Sequence, residues 1–245
     1  MALPARYIIV CEGKSEWTYV QSLNRLFREL PTEAVDGIVP LVLVPKPPPD
    51  GVGSGHHAQL VRALKKARKD NPRTETVVWA DADLYVRPGP DRNQFTANET
   101  SAPAFCFSVF NFEDFLALHG DDETFVRWKE TFSSTGHFST PLHSNEYLPL
   151  FQRIVPGYAK GTLDENLTIT HLVNLRRHWP EAKSLFAASL PGRIAGQLFP
   201  DFLLNQIDMA FPAVFRQQFT AALHPAGARL QSPPHSPDHR RLPPP

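Results

Sequence analysis

Two cysteines, Cys11 and Cys106, are too few for a disulfide framework in a chain of 245 residues, and they argue against a four-ligand zinc site. Both fall inside strand-like apolar runs, where a thiol behaves as a small buried hydrophobe. Missing as well is any apolar run of roughly eighteen residues, the length that spans a bilayer as a helix. The segment after Met1 has neither a charged leader nor a cleavage site. The sequence therefore predicts no membrane span and no signal peptide, and a cytoplasmic location by default. The formal net charge is zero, so a nucleic-acid partner has to be held by a local basic patch and not by the field of the whole molecule. Common enzyme signatures are absent too. Gly13-Lys14-Ser15 has the tail of a phosphate-binding loop, but the glycine required five positions upstream is Ile8, which removes the Walker A reading and ATP hydrolysis with it. Neither a Gly-x-Ser-x-Gly elbow nor a His-Glu-x-x-His helix occurs, which removes the commonest serine hydrolase and zinc protease chemistries.

What is present is an alternation of strand-like and helix-like segments. Tyr7 to Cys11 is an apolar run broken at Gly13. From Ser15 to Leu30 the apolar residues Trp17, Val20, Leu23, Leu26, Phe27 and Leu30 recur at helical spacing. Ile38 to Val44 predicts a second strand, stopped by Pro45 and the prolines behind it, and Gly51, Gly53 and Gly55 predict a loop. Leu60, Val61, Leu64 and Ala67 predict a helix over His56 to Lys69 whose exposed side carries Arg62, Lys65, Lys66, Arg68 and Lys69. A third strand, Val77 to Ala80, ends at Asp81 and Asp83. Between Tyr85 and Pro103 no periodicity survives, which predicts an irregular connection. Ala104 to Phe110 predicts a fourth strand, and Asn111 is placed to cap a helix from Phe112 to Leu118 that Gly120 ends. Alternating β and α elements signify a parallel or mostly parallel sheet. Further on, helices are expected at Glu123 to Phe132, Leu142 to Val155, Asp164 to His178, Ala182 to Ala188 and Ala213 to Leu223. Beyond Pro225 the Pro, Ser, His and Arg composition offers little to bury and predicts disorder. The expected organisation is an α/β core over 1–120, a helical extension over 121–225 and a proline-rich tail over 226–245.

Candidate chemistry sits at the strand ends. In an open parallel sheet the carboxyl ends of the strands lie along one edge, and ligands bind in the crevice there. Glu12 closes the first run, and Asp81 and Asp83 close the third. If the strand stays extended through Asp83, the period of two points both aspartates the same way. Aligned carboxylates suit magnesium, which commonly bridges one or two of them to a substrate phosphate.

Cys11-Glu12-Gly13 behind a strand, Glu16 in the following helix and Asp81-Ala82-Asp83 behind a later strand resemble the TOPRIM signature of topoisomerases, primases and several nucleases. Phe107-Ser108-Val109-Phe110-Asn111-Phe112-Glu113-Asp114-Phe115-Leu116-Ala117-Leu118-His119 resembles the Ser-Asn-Pro-x-Phe-Glu-x-Trp-Leu-x-x-His block of RloB-like proteins, TOPRIM-type proteins linked to bacterial restriction loci and phage defence. Gly157-Tyr158-Ala159-Lys160-Gly161 is similar to the Tyr-x-Lys element of that family. The blocks span roughly residues 6 to 180 in the family's order. Three positions depart from the pattern: Asn111 replaces proline, Phe115 replaces tryptophan, and Leu84 stands where an acid is frequent. The resemblance implies a TOPRIM-like, mostly parallel α/β fold with a largely helical C-terminal half. It also implies a magnesium-dependent endonuclease, with manganese as an alternative ion, acting on tRNA or DNA in antiviral defence beside an ATPase partner. A homo-oligomer stays open.

On this reading Asp81 and Asp83 hold the metal, and Glu12 is a ligand or a general acid/base. Glu113 adds a metal contact or orients water, and Lys160 neutralises the scissile phosphate. Plainer readings compete. Strand-end aspartates serve turns, while Glu12, Glu113 and Asp114 are acids beside helix starts, where the dipole favours them. His119 lies six residues beyond Glu113, about 240 degrees around a helix, which argues against shared ligation; a place at the helix C-terminus accounts for it. Arg62 to Lys69, Arg73 and the pair Arg176-Arg177 could grip phosphates or merely be solvated, and His56-His57 are expected to be exposed. Two other functions remain: an Asp-x-Asp glycosyltransferase, which gives Glu12 no role, and a sensor or adaptor with a vestigial site, suggested by Asn111 and Leu84.

Overall fold

The computed structural model describes residues 5–29, 41–46, 56–97, 104–159 and 167–211. Four strands, β1 (Ala5–Cys11), β2 (Leu41–Lys46), β3 (Glu75–Ala80) and β4 (Phe105–Phe107), form an all-parallel sheet in the order β2-β1-β3-β4. The α/β reading holds. The chain crosses from β1 outward to β2, then returns past β1 to β3, so the strand order reverses between β1 and β3, the place where such sheets open a crevice at their carboxyl ends.

The sheet is covered on both faces by aromatic side chains. On one face Trp79 of β3 stacks on Phe199 with ring centroids 3.7 Å apart and meets Tyr19 and Phe115 edge-on. These partners belong to α1 (Lys14–Glu29), α5 (Phe112–Ala117) and α10 (Phe199–Ala210). On the other face Phe105 and Phe107 pack against Tyr85 and Phe95, from α3 (Asp83–Val86) and α4 (Pro90–Ala97), and Phe105 also meets His57 of α2 (His57–Asp70). Edge-to-face rings carry about 0.5–1.5 kcal/mol beyond their burial. The remaining helices are α6 (Asp122–Ser134), α7 (Ser144–Ile154), α8 (Ile169–Phe186) and α9 (Gly192–Ala195), so the second half is helical as expected. Ahead of α10 the chain also touches the sheet: Leu198 bridges Phe107 in parallel, and the Phe107 amide donates to the Gln197 carbonyl at 2.8 Å, which covers the β4 edge. None of the helices is long and apolar enough to cross a membrane, among the described residues.

Several expectations need correction. β2 runs through Pro45 instead of stopping before it, because β2 is an edge strand and Pro45 loses no ladder partner on its open side. Part of the stretch after Tyr85 is helical, not irregular: α4 occupies Pro90–Ala97, short and anchored by only Asp91 and Phe95, too few buried residues to show a period, while 98–103 lie outside the described residues. The two helices expected around Pro180 are one, α8, since proline is tolerated where the helix is exposed on that side. α9 and α10 were not expected. The glycine loop at 51–55, the helix at Ala213 to Leu223 and the tail from 226 lie outside the described residues.

β4 is also shorter than its apolar run, and the cause is local. Val109 has φ of 124°, a region that a β-branched residue rarely adopts. The bend turns two carbonyls toward the end of β3: Val109 O accepts the Ala82 amide at 2.9 Å and Phe110 O accepts the Asp83 amide at 3.1 Å. Such strain costs about 1–3 kcal/mol and persists only where the surroundings enforce it. Val109 and Val78 are both fully buried. Val109→Gly is therefore expected to destabilise the protein by at least about 1 kcal/mol less than Val78→Gly in chemical denaturation, since glycine relieves strain only at Val109; equal losses would show that Val109 is unstrained.

Candidate active site

At the β1–β3 reversal the backbone ladder hands over to a side chain. The Glu12 amide donates to the Trp79 carbonyl at 3.0 Å, and one residue further the Asp81 amide donates to Glu12 Oε2 at 2.7 Å. Glu12 and Asp81, 69 positions apart, thus meet at the sheet rim. Glu16 joins them from the first turn of α1. It is 4% exposed, and its Oε2 accepts the Gly13 amide at 2.9 Å. Gly13 favours that approach: a Cβ there would stand 2.9 Å from the same oxygen and displace the Glu16 carboxylate.

Asp83 arrives by a different route from the expected one. The extended conformation stops at Ala80, Ala82 is in the right-handed helical region, and Asp83 opens α3. The two aspartates therefore do not share a face by strand alternation. Asp83 is brought back by the Val109 and Phe110 carbonyls and by its Oδ1, which accepts the Leu84 amide at 2.7 Å.

α5 supplies the fifth acid. Its adjacent carboxylates divide the work: Asp114 Oδ2 accepts the Asn111 amide at 3.0 Å, capping the helix. Asp114 also accepts from Tyr147 at 2.5 Å and Trp128 at 3.3 Å and bonds His137 at 3.0 Å, all within the core. Asp114, not Glu113, therefore fills the ordinary role of a first-turn acid. Glu113 is buried at 4% exposure and accepts a hydrogen bond from the Tyr158 hydroxyl at 2.9 Å. Tyr158 lies beyond α7, and burial together with Glu113 raises its pKa, so its hydroxyl stays a donor at neutral pH.

Asp81 sits in the field of the other acids. Burial raises the Asp81 pKa well above its ordinary 3.8, and the charges of Glu16, Glu12, Asp83 and Glu113, in that order, raise it further. Asp81 Oδ1 is sealed from solvent without a hydrogen-bond partner. A buried charge without a partner costs more than the 1–3 kcal/mol typical of a neutral polar group, unless a cation or proton compensates it. In the conformation present, no group of three or more His, Cys, Asp or Glu side chains among the described residues is arranged to hold a metal ion. The donor chemistry nevertheless fits magnesium: every acid offers hard oxygen, the like charges repel without a cation, and Asp81 Oδ1 lacks a partner.

Of the residues expected in the site, Glu12 bonds the Asp81 backbone amide, Asp83 and Glu113 act on Asp81 through their charges, and Lys160 lies outside the described residues. Glu16 and Tyr158 were missed as site residues. Both stand in motifs read from the sequence, Glu16 behind Cys11-Glu12-Gly13 and Tyr158 in the Tyr-x-Lys element, but without a role; the contact of Tyr158 with Glu113 depends on the turn after α7. His119 is absent from the site, as expected, but not as a charged helix terminus. It is 5% exposed, bonds the Tyr19 hydroxyl at 2.7 Å and the Phe115 carbonyl at 2.9 Å, and burial lowers its pKa to about 3, so it is neutral. His57 is likewise buried, contrary to expectation, whereas His56 is exposed and bonds Asp91. Arg176 and Arg177 are paired with Asp208 and Asp122.

Comparison with protein-family models, with curated proteins and with solved structures finds no match to this chain.

The raised Asp81 pKa has a sign. Folding makes Asp81 bind its proton more tightly, so its contribution to stability is fully present below the unfolded value near 3.8 and is lost as pH rises through the raised folded value. In EDTA, Asp81→Asn is therefore expected to raise the melting temperature at pH 7 by roughly 2–4 °C per kcal/mol of repulsion relieved, and to remove part of the decline in stability above pH 4. A lower melting temperature for Asp81→Asn across that range would show that the carboxylate is stabilised in the metal-free protein.

Proposed function

We propose that this protein is a magnesium-dependent phosphodiesterase acting on nucleic acid, an endonuclease of cytoplasmic antiviral defence. The observation that carries the chemistry is Asp81 at the reversal point of a parallel sheet, its Oδ1 sealed and unpartnered, its amide bonded to Glu12 and its carboxyl in the field of Glu12, Glu16, Asp83 and Glu113. The choice of nucleic acid, the defence setting and an ATPase partner follow from the RloB-like resemblance of Cys11-Glu12-Gly13, Asp81-Ala82-Asp83 and the block from Phe107 to His119.

Asp81 and Asp83 would hold the ion, with Glu12 and Glu16 beside them; Glu16 is an addition to the set read from sequence. Bound magnesium supplies positive charge to a phosphate and acidifies water. Glu12 would accept a proton from the attacking water; its carboxylate at the rim, oriented by the Asp81 amide, supports that role. Tyr158 holds Glu113 by a directed hydrogen bond, which fixes one wall of the site. The strained turn at Val109 and Phe110 fixes the Asp83 backbone where α3 begins.

Purified protein incubated with tRNA, single-stranded DNA and duplex DNA in magnesium or manganese is expected to cleave at least one of them. EDTA should abolish cleavage, and Glu12→Gln and Asp81→Asn should each lower the rate by roughly 10²-fold or more. Activity unchanged in both variants would refute the assignment. Selective thermal stabilisation by a sugar nucleotide would instead favour glycosyl transfer, and absence of magnesium or manganese binding by calorimetry would favour an adaptor.

A further inference from the structure

The charge of the chain is balanced overall but segregated locally. Arg62, Lys65, Lys66 and Lys69 on α2 recur at the spacing i, i+3, i+4, i+7, which places them on one arc of about 100 degrees. The apolar stripe of the same helix, Leu60, Val61, Leu64 and Ala67, is buried against the sheet on the opposite side. All four cations are exposed, and among the described residues none forms an ion pair with a carboxylate. Arg176 and Arg177, by contrast, are neutralised by Asp208 and Asp122. The α2 stripe is thus a run of uncompensated positive charge on a chain of zero net charge.

Its position is not arbitrary. The α2 N-terminus lies near the rim that carries the acids: His57 packs edge-on against Tyr85 at 5.8 Å, and Tyr85 follows Asp83 by two residues and feels the charges of Glu12 and Asp83. The stripe begins at Arg62, about 7.5 Å along the helix from His57, and runs roughly a further 10.5 Å to Lys69 at about 1.5 Å per residue. Between α2 and α4 a groove of about 380 Å³ is lined by Val61, Arg62, Lys65 and Gln94, with His57 at its wall. Neither ring nitrogen of His57 has a hydrogen-bond partner.

We infer that the α2 stripe and the α2–α4 groove are the binding face for the nucleic-acid backbone, on which several phosphates lie while one reaches the acidic rim. The choice of polyanion rests on the phosphodiester chemistry proposed above. An acidic rim repels a polyanion when no cation is bound, so binding energy has to come from elsewhere on the surface. Lysine and arginine side chains, solvated and unpaired, neutralise phosphates at little desolvation cost, and the attraction falls with salt as counterions are released. Contacts of this kind carry no sequence preference, so the stripe sets affinity and register and leaves sequence readout to other residues.

The test is equilibrium binding of the full chain to a fluorescein-labelled single-stranded RNA of about 20 nucleotides and to a duplex DNA of the same length, in EDTA, by anisotropy over a salt series. The variant Arg62→Gln/Lys65→Gln/Lys66→Gln/Lys69→Gln is expected to bind at least tenfold more weakly at low salt. Its slope of log K against log salt should be shallower by roughly three, four contacts at about 0.7–0.9 each. A control that neutralises four cations elsewhere, Arg127→Gln/Lys129→Gln/Arg153→Gln/Lys183→Gln, should keep both affinity and slope, with matching circular-dichroism melts showing that both variants fold. Unchanged affinity and slope in the α2 variant overturn the inference. So does recruitment of the wild type to phosphatidylserine vesicles, dependent on the same stripe, without binding of either nucleic acid. Because the assay contains no divalent ion, binding that persists in Glu12→Gln while cleavage is absent from the wild type sinks the hydrolytic reading and leaves this one standing.

Discussion

One hydrogen bond joins the two halves of the candidate site: the Asp81 amide donates to Glu12 Oε2 where the paired strands β1 and β3 run out. A parallel ladder ends by leaving an amide without its next carbonyl, and here a side-chain carboxylate takes the place of that carbonyl. The substitution costs no burial, since the amide would need an acceptor in any case. It also commits Glu12 to the rim, and the other acids collect around it: Glu16 one helical turn on, Asp83 through the bend at Val109, Glu113 through the cap of α5. Separation of like charges would be the relaxed state of such a cluster. That four carboxylate charges bear on the already buried Asp81 is a conflict between local electrostatics and fold, and conflicts of that kind concentrate where a protein acts.

The core behind the rim explains why the conflict is tolerated. Trp79 immediately precedes the acidic turn, is buried completely, and donates its indole N–H to Ser108 Oγ at 2.7 Å while stacking on Phe199. On the far side of α5, Asp114 is surrounded by His137, Tyr147 and Trp128, a polar network with its hydrogen bonds satisfied in the middle of aromatic rings. Networks of that type rigidify their surroundings when every member is paired. α5 is therefore held at both its cap and its inner face, and Glu113 projects from a fixed turn. Repulsion among the acids is resisted by aromatic packing and by the hydrogen-bonded network around Asp114.

Much of this was legible in the sequence because it depends on short-range pattern. The apolar runs at Tyr7 and Val77, the stripe of α1 and the stripe of α2 each have one burial period, and each became the expected element. Glu12, Asp81 and Asp83 announced themselves as carboxylates closing strands. What failed to show did so for identifiable reasons. Asp83 is positioned by a change of backbone direction at Ala82, enforced by carbonyls some 27 residues downstream, and strand alternation cannot report that. α4 and α9 bury too few side chains to display a period. His57 follows a glycine-rich stretch, and its burial depends on Tyr85, Phe95 and Phe105 arriving from three later segments. Tyr158 reaches Glu113 across 45 positions, a contact made by tertiary packing alone.

The bridge between Phe107 and Leu198 bears on synthesis as well as on the finished fold. During translation β4 emerges long before the residues that seal its outer side, so the nascent sheet presents an unsatisfied strand to its surroundings while roughly ninety further residues are added. Open strands invite pairing with other chains. β4 is only three residues long and bends away at Val109, which keeps that interval of exposure from offering a template long enough to recruit a neighbour.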